Sequence, residues 1–171
     1  AGPLQTLTIP ATLDGLLATR LDQLDQTSKQ VLRAASVVGQ VFYPEALLAL
    51  GFGQAAIDDA LMAAVRRDLI AELDERGPGG QLAHSFKHIL MRDAAYESMP
   101  KAERWRAHDA VGRWLEGEWQ GGDEISLIVA HHAERAFWIA HGLHHADARA
   151  LGARAFELLL AAGRRAWANV L

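Results

Sequence analysis

The chain has 171 residues, 50% of them apolar and 22% charged, with no cysteine and a formal net charge of -4. The apolar content excludes a disordered chain, which needs low hydrophobicity and high net charge. The lack of cysteine excludes a disulfide scaffold and any thiolate metal site. Seventeen basic against 21 acidic residues is not the balance of a polybasic nucleic-acid or membrane-surface binder. No apolar run approaches the ~20 residues that span a bilayer. The chain does not begin with Met and shows no signal-peptide pattern, so a piece of a longer cytoplasmic protein is expected. Ala and Leu dominate over Val, Ile, Thr and Tyr, which predicts mainly α structure.

Residues 1–11 read as an extended lead-in. Thr12 is expected to cap a helix to about Gln23, with Leu13, Leu16, Leu17, Leu21 and Leu24 at helical spacing. Thr27 with Gln30 forms the pattern of a capping box and opens a second helix, in which Val31, Leu32, Ala35 and Val38 make a buried stripe and Gly39 stops it. Pro44 suits the first position of a short helix, PEALLAL. Residues 54–68 place Ile57, Leu61 and Val65 on one face of an amphipathic helix.

The period then changes. LIAELDE, the turn RGPGG and QLAHSFKH predict a β-hairpin, with Leu69, Ala71 and Leu73 on one strand face. Helices are expected again at about His88–Ser98, Lys101–Glu118, Asp123 to about Ala140, and Asp147 to the end. Three helices followed by a two-stranded hairpin is the winged-helix order, and helix pairs joined by polar loops follow it, as in a small bundle or repeat array.

Self-sufficient catalysis is not expected. No GxxxxGK[ST] loop, GxSxG elbow or HExxH pair occurs. His131, His132, His141, His144 and His145 cluster in sequence, and His141 with His145 would suit two ligands on one helical face. Gly142 weakens that helix and few acidic partners flank it, so an interhelical loop with solvated or Trp138-packed imidazoles is the preferred reading over metal. The five tryptophans, Trp105, Trp114, Trp119, Trp138 and Trp167, all follow residue 100 and are expected mostly in the core. The helix that would enter a DNA groove carries Asp58, Asp59 and Asp68 against Arg66 and Arg67, and the hairpin carries Glu72, Asp74 and Glu75 against Arg76. Duplex DNA would be repelled by such a face. Lys87 and His88 lead from the second strand into a helix, where either His88 simply caps or packs at the hairpin–helix corner, the preferred reading of these residues alone, or His, Lys and the helix N-terminal amides together bind a phosphate.

The strings TIPATLDGLLATRLDQLD, VLRAASVVGQVF, LAHSFKHILMRDAAYESMPKAERWRAHDAVGRWLE, IVAHHAERA and AAGRRAWA resemble one group of bacterial multidomain proteins, the STAND-type (signal-transduction) AAA-like ATPases. The resemblance runs from about Thr8 to Ala168, and FKHILMRDAAYESMPKAER is its most specific part. It implies the end of an ATPase lid helix in residues 1–26, a winged helix in 27–100 and antiparallel tetratricopeptide-like (TPR-like) helices in 101–171. It also implies ATP or ADP bound by a core outside this segment, with a class III adenylate or guanylate cyclase or a transcriptional activator as output in many members. In such proteins a winged-helix His contacts the bound diphosphate. His88, with Lys87 beside it, lies where that sensor is expected, although Lys87-His88-Ile89 stands in place of the family's Met-His-Asp.

The expectation is therefore a non-catalytic, cytoplasmic regulatory segment without its own cofactor or metal. Its partners would be its own ATPase core, its output domain and proteins bound by the helices, with no membrane. The alternative is a DNA-binding winged-helix regulator. The charge is uneven: residues 1–85 hold 6 basic and 10 acidic groups, while 86–171 hold 11 of each.

Overall fold

The computed structural model describes residues 19–118 and 123–168, so Thr12, Trp119 and the lead-in lie outside the described residues. Residues 19–22 are helical. The elements that follow are α1 (Gln26–Val38), β1 (Val41–Phe42), α2 (Pro44–Ala49), α3 (Gln54–Arg66), β2 (Ile70–Arg76), β3 (Leu82–Phe86), α4 (Ile89–Glu97), α5 (Lys101–Glu118), α6 (Asp123–Gly142) and α7 (Ala148–Ala168). The protein is mainly helical with one small antiparallel sheet, and no described helix is long and apolar enough to cross a membrane.

Helix α1 starts earlier than the Thr27 capping box predicts. Asp25 is the N-cap, its carboxylate accepting from the Ser28 amide at 2.9 Å and from the Ser28 hydroxyl at 2.5 Å. An ionised carboxylate caps more strongly than a hydroxyl, because it also meets the positive end of the helix dipole. Gly39 ends the helix, donating to the Ala35 carbonyl.

The sheet has three strands rather than the two of the expected hairpin, in the order β1-β3-β2. Val41 pairs with Ser85 and Phe42 with His84. A two-residue strand is too short to show a period of two, so only its partner reveals it. The pairing buries Phe42 completely, its ring 5.4 Å from that of Phe86. In the hairpin, Ile70 rather than Leu69 opens β2 and faces Phe86, and the ladder is irregular between Glu72 and Arg76. The RGPGG turn folds back on α2. A Cβ on Gly77 or Gly79 would lie within 2.8 Å of the Glu45 side chain, so any larger residue there would displace Glu45. Glu45 in turn accepts from the Gln81 amide at 3.1 Å.

One apolar cluster joins α1, α3, β2, β3 and α4 through Val31, Leu32, Ile57, Ile70, Phe86 and Met91. A second carries Val37 and Ala46 into contact with Tyr96, Val111, Trp114 and Val129, tying the earlier elements to α5 and α6. A third packs Trp105 with Ala136, Ala140 and Leu151. Trp105 and Trp114 are therefore core residues, whereas Trp138 and Trp167 are more than half exposed.

Candidate functional site

The Lys87–His88 segment is set by the way α3 hands over to the sheet. Asp68 follows α3 with φ at 57°, in the left-handed region that a short acidic side chain tolerates. This tight turn brings the chain directly into β2. The Lys87 amide then donates to the Leu69 carbonyl at 3.0 Å, which places Lys87 abreast of Asp68. Lys87 Nζ lies 2.9 Å from Asp68 Oδ1, and both side chains remain largely exposed. The Lys87 bond and charge hold the Asp68 carboxyl below its usual range, with smaller contributions from Arg20 and His88.

His88 is the N-cap of α4, with an extended backbone and no side-chain capping bond. Its carbonyl accepts from the amides of Met91 and Arg92, while its imidazole is exposed. Only the amides of Ile89 and Leu90 precede these bonds, and both residues are exposed beside the imidazole. Ile89 and Leu90, the first residues of α4, are 53% and 39% exposed. Arg20 reaches this edge from the other side, its Nη2 donating to the Arg67 carbonyl at 3.1 Å. The edge thus sets Arg20 and Lys87 around the Asp68 carboxylate, while the Arg67 guanidinium turns back to the Ala63 carbonyl of α3. Sequence reasoning found Lys87 and His88. It missed Arg20, Arg67 and the role of Asp68, which are 19 to 67 positions away and share no spacing signal.

The expected groove face is differently placed in one respect: Asp68 lies beyond α3 and is paired with Lys87. The remaining charges stand as read, with Asp58, Asp59, Glu72, Asp74 and Glu75 exposed beside Arg66 and Arg76. A cleft of about 510 Å³ opens between α3 and the hairpin, lined by Asp58, Met62, Arg66, Glu72 and His84 among others. His84 is 7% exposed, and burial pushes its pKa down.

The histidine cluster forms the expected interhelical loop only in part. His131, His132 and His141 lie within α6, and the turn after it holds His144, with φ at 53°, and His145. His145 packs on Trp105 with ring centroids 4.7 Å apart, while His141 lies against Phe137 and Trp138. Among the described residues no group of three or more His, Asp or Glu side chains is arranged to hold a metal ion.

His132 instead belongs to a buried polar chain that sequence spacing did not reveal. Arg135 Nη2 donates to the Tyr96 hydroxyl at 3.2 Å, Tyr96 Oη lies 2.9 Å from His108 Nε2, and His108 Nδ1 lies 3.0 Å from His132 Nδ1. Two proton orders satisfy every link with both imidazoles neutral: Tyr96 donates to His108 Nε2 and His108 Nδ1–H to His132 Nδ1, or His132 Nδ1–H donates to His108 Nδ1 and His108 Nε2–H to the Tyr96 oxygen. Burial, followed by the neighbouring positive groups, pushes His108 down to about 2 and His132 down to about 4. The chain links α4, α5 and α6, so it is a structural joint between the sheet-bearing part and the long helices.

Comparison with family models, with curated proteins and with solved structures finds no match to this chain.

Proposed function

We propose that this chain is a non-catalytic regulatory and interaction segment of a multidomain STAND-type ATPase, one linked to a nucleotide cyclase or to transcriptional output. In this reading α1 to α3 and the hairpin form a winged helix, and α5 to α7 begin an antiparallel TPR-like array. The observation that carries the reading is the positive edge at the start of α4. An exposed His88 with no side-chain capping bond, the amides that open α4 and the nearby Arg20 and Lys87 make a donor-rich surface suited to a diphosphate presented by a separate core. Exposed Ile89 and Leu90 give that core an apolar contact beside the polar one.

Asp68 holds Lys87 in place at the edge. ADP phosphates would compete for the Lys87 ammonium and accept from His88, so the edge would hold the ADP-bound arrangement and release it when the nucleotide changes. That is a two-state element biased by a ligand, which an allosteric role requires. The excess of carboxylates on α3 and the hairpin argues against duplex DNA as the partner.

The test uses a longer protein that contains the ATPase core. His88→Ala should speed ADP release about tenfold, the worth of one hydrogen bond to a charged group, and Lys87→Gln should act in the same direction. Unchanged ADP release together with unchanged output activity in both variants would remove the sensor role.

A further inference from the structure

A second cavity lies where α4, α5 and α6 meet, away from the Lys87–His88 edge. It encloses about 280 Å³, and three cations line it: Lys101, Arg104 and Arg135. No carboxylate belongs to its lining, which is otherwise Tyr96, Trp138 and aliphatic groups of α6 and the turn after it. Arg104 meets the Glu97 carboxylate, but Lys101 and Arg135 stand in a lining that holds no carboxylate, in a chain of net charge -4, so an anion there gains from both.

The three cations are held differently. Arg104 is only 8% exposed and fixed. Its Nε donates to the Met99 carbonyl and its Nη2 to the Glu97 carbonyl, both at 2.7 Å, and its guanidinium lies 4.8 Å from the centre of the Tyr96 ring. The exposed Glu97 carboxylate touches it from outside the cavity at 3.1 Å. Arg135 donates to the Tyr96 hydroxyl. Lys101 is exposed and forms no ion pair among the described residues. Arg104 is therefore a rigid positive wall, Arg135 is tethered to Tyr96 through one nitrogen, and the exposed Lys101 is free to close on a ligand.

Trp138 supplies the other half of the site. It is 56% exposed although it stands beside this pocket, and its indole nitrogen is steered by Glu134 at 3.4 Å. A flat apolar face next to convergent cations matches a ligand with an anionic head on an aromatic body. The volume lies just below the usual range for small-molecule pockets, about 300 to 1,000 Å³, so the ligand is small. We propose that this cavity binds a small aryl-bearing anion, its phosphate or carboxylate held by Lys101 and Arg135 and its ring laid on Trp138.

The test titrates the 171-residue protein with phenyl phosphate, benzoate and inorganic phosphate, following the Trp138 indole N–H signal by NMR and the heat by calorimetry. Saturable binding of phenyl phosphate or benzoate is expected, and the tighter of the two identifies the head group. Lys101→Gln should weaken it about fivefold and Arg135→Gln about tenfold. Glu97→Gln should tighten it by freeing Arg104 of a competing carboxylate. Lys101→Gln and Glu97→Gln change exposed side chains and keep the test informative if Arg135→Gln disturbs the fold. Absence of saturable binding, or binding that none of the three variants changes, would overturn the site. Inorganic phosphate binding as tightly as phenyl phosphate would overturn the aromatic half of the proposal.

Discussion

Up to residue 100 the chain buries large apolar side chains, with Leu32, Phe42, Leu47, Ile57, Leu69, Ile70 and Met91 all at 1% exposure or less. Helices α6 and α7 bury mostly alanine (Ala130, Ala133, Ala136, Ala140, Ala155 and Ala162) and leave Trp138, Phe156 and Trp167 more than half exposed. Small residues let helices approach closely, and Gly152 shows how closely: a Cβ there would lie 2.9 Å from the Phe137 ring. The first part packs its large side chains in a core of its own and lends Val37 and Ala46 to the cluster shared with α5 and α6. The second reaches its contacts through close backbones and buried polar groups, and carries apolar side chains on two faces of α7.

Core truncation tests this contrast most strongly. Phe42→Ala removes a fully buried ring and should cost about 3–5 kcal/mol, read from urea denaturation midpoints. Phe156→Ala, at 63% exposure, should stay within about 0.5 kcal/mol. Equal losses would mean that α7 carries as much of the core as the sheet does.

The buried histidines sharpen the contrast through pH. Unfolded imidazoles take up protons below about pH 6.5, whereas His108 and His132 are held neutral in the fold. Their contribution is complete above that pH and is lost as pH falls, down to about 4 for His132 and about 2 for His108. Between pH 7.5 and 5.5 each should cost about 1.4 kcal/mol, or about 3 kcal/mol together. The groups facing them are Tyr96, Arg92, His131 and Arg135, none of which supplies a carboxylate to stabilise an imidazolium. A double variant His108→Phe with His132→Leu should flatten the pH dependence of the midpoint over this range, and persistence of the full slope would assign it elsewhere.

A smaller effect than that of the core or the histidines belongs to the helix start. Asp25→Ala should cost about 1 kcal/mol, and Thr27→Ala much less, because Asp25 and not Thr27 caps α1. The reverse order of losses in thermal unfolding would restore the capping box read from Thr27 and Gln30.

Local signals carried the reading of the elements. The span Lys101–Glu118 agrees with its sequence-based bounds, and the Gly-rich turn after Arg76 joins two strands as expected. Stripes and turns are written in neighbouring residues, so periodicity and backbone chemistry expose them. At the candidate site, Lys87 and His88 were legible because they flank a strand-to-helix junction, but the Asp68 partner and the Arg20 approach were not.

The sequence by itself determined a mainly helical chain, its hairpin, its lack of thiol chemistry and the excess of carboxylates on the α3–hairpin face. Tertiary structure alone decided that Val41 and Phe42 pair with β3, that Lys87 meets Asp68, and that His108 and His132, 24 positions apart, share a proton. The first set depends on backbone preference and composition within a few residues. The second depends on which side chains are brought together and stripped of water when distant elements pack, and no spacing along the chain encodes that.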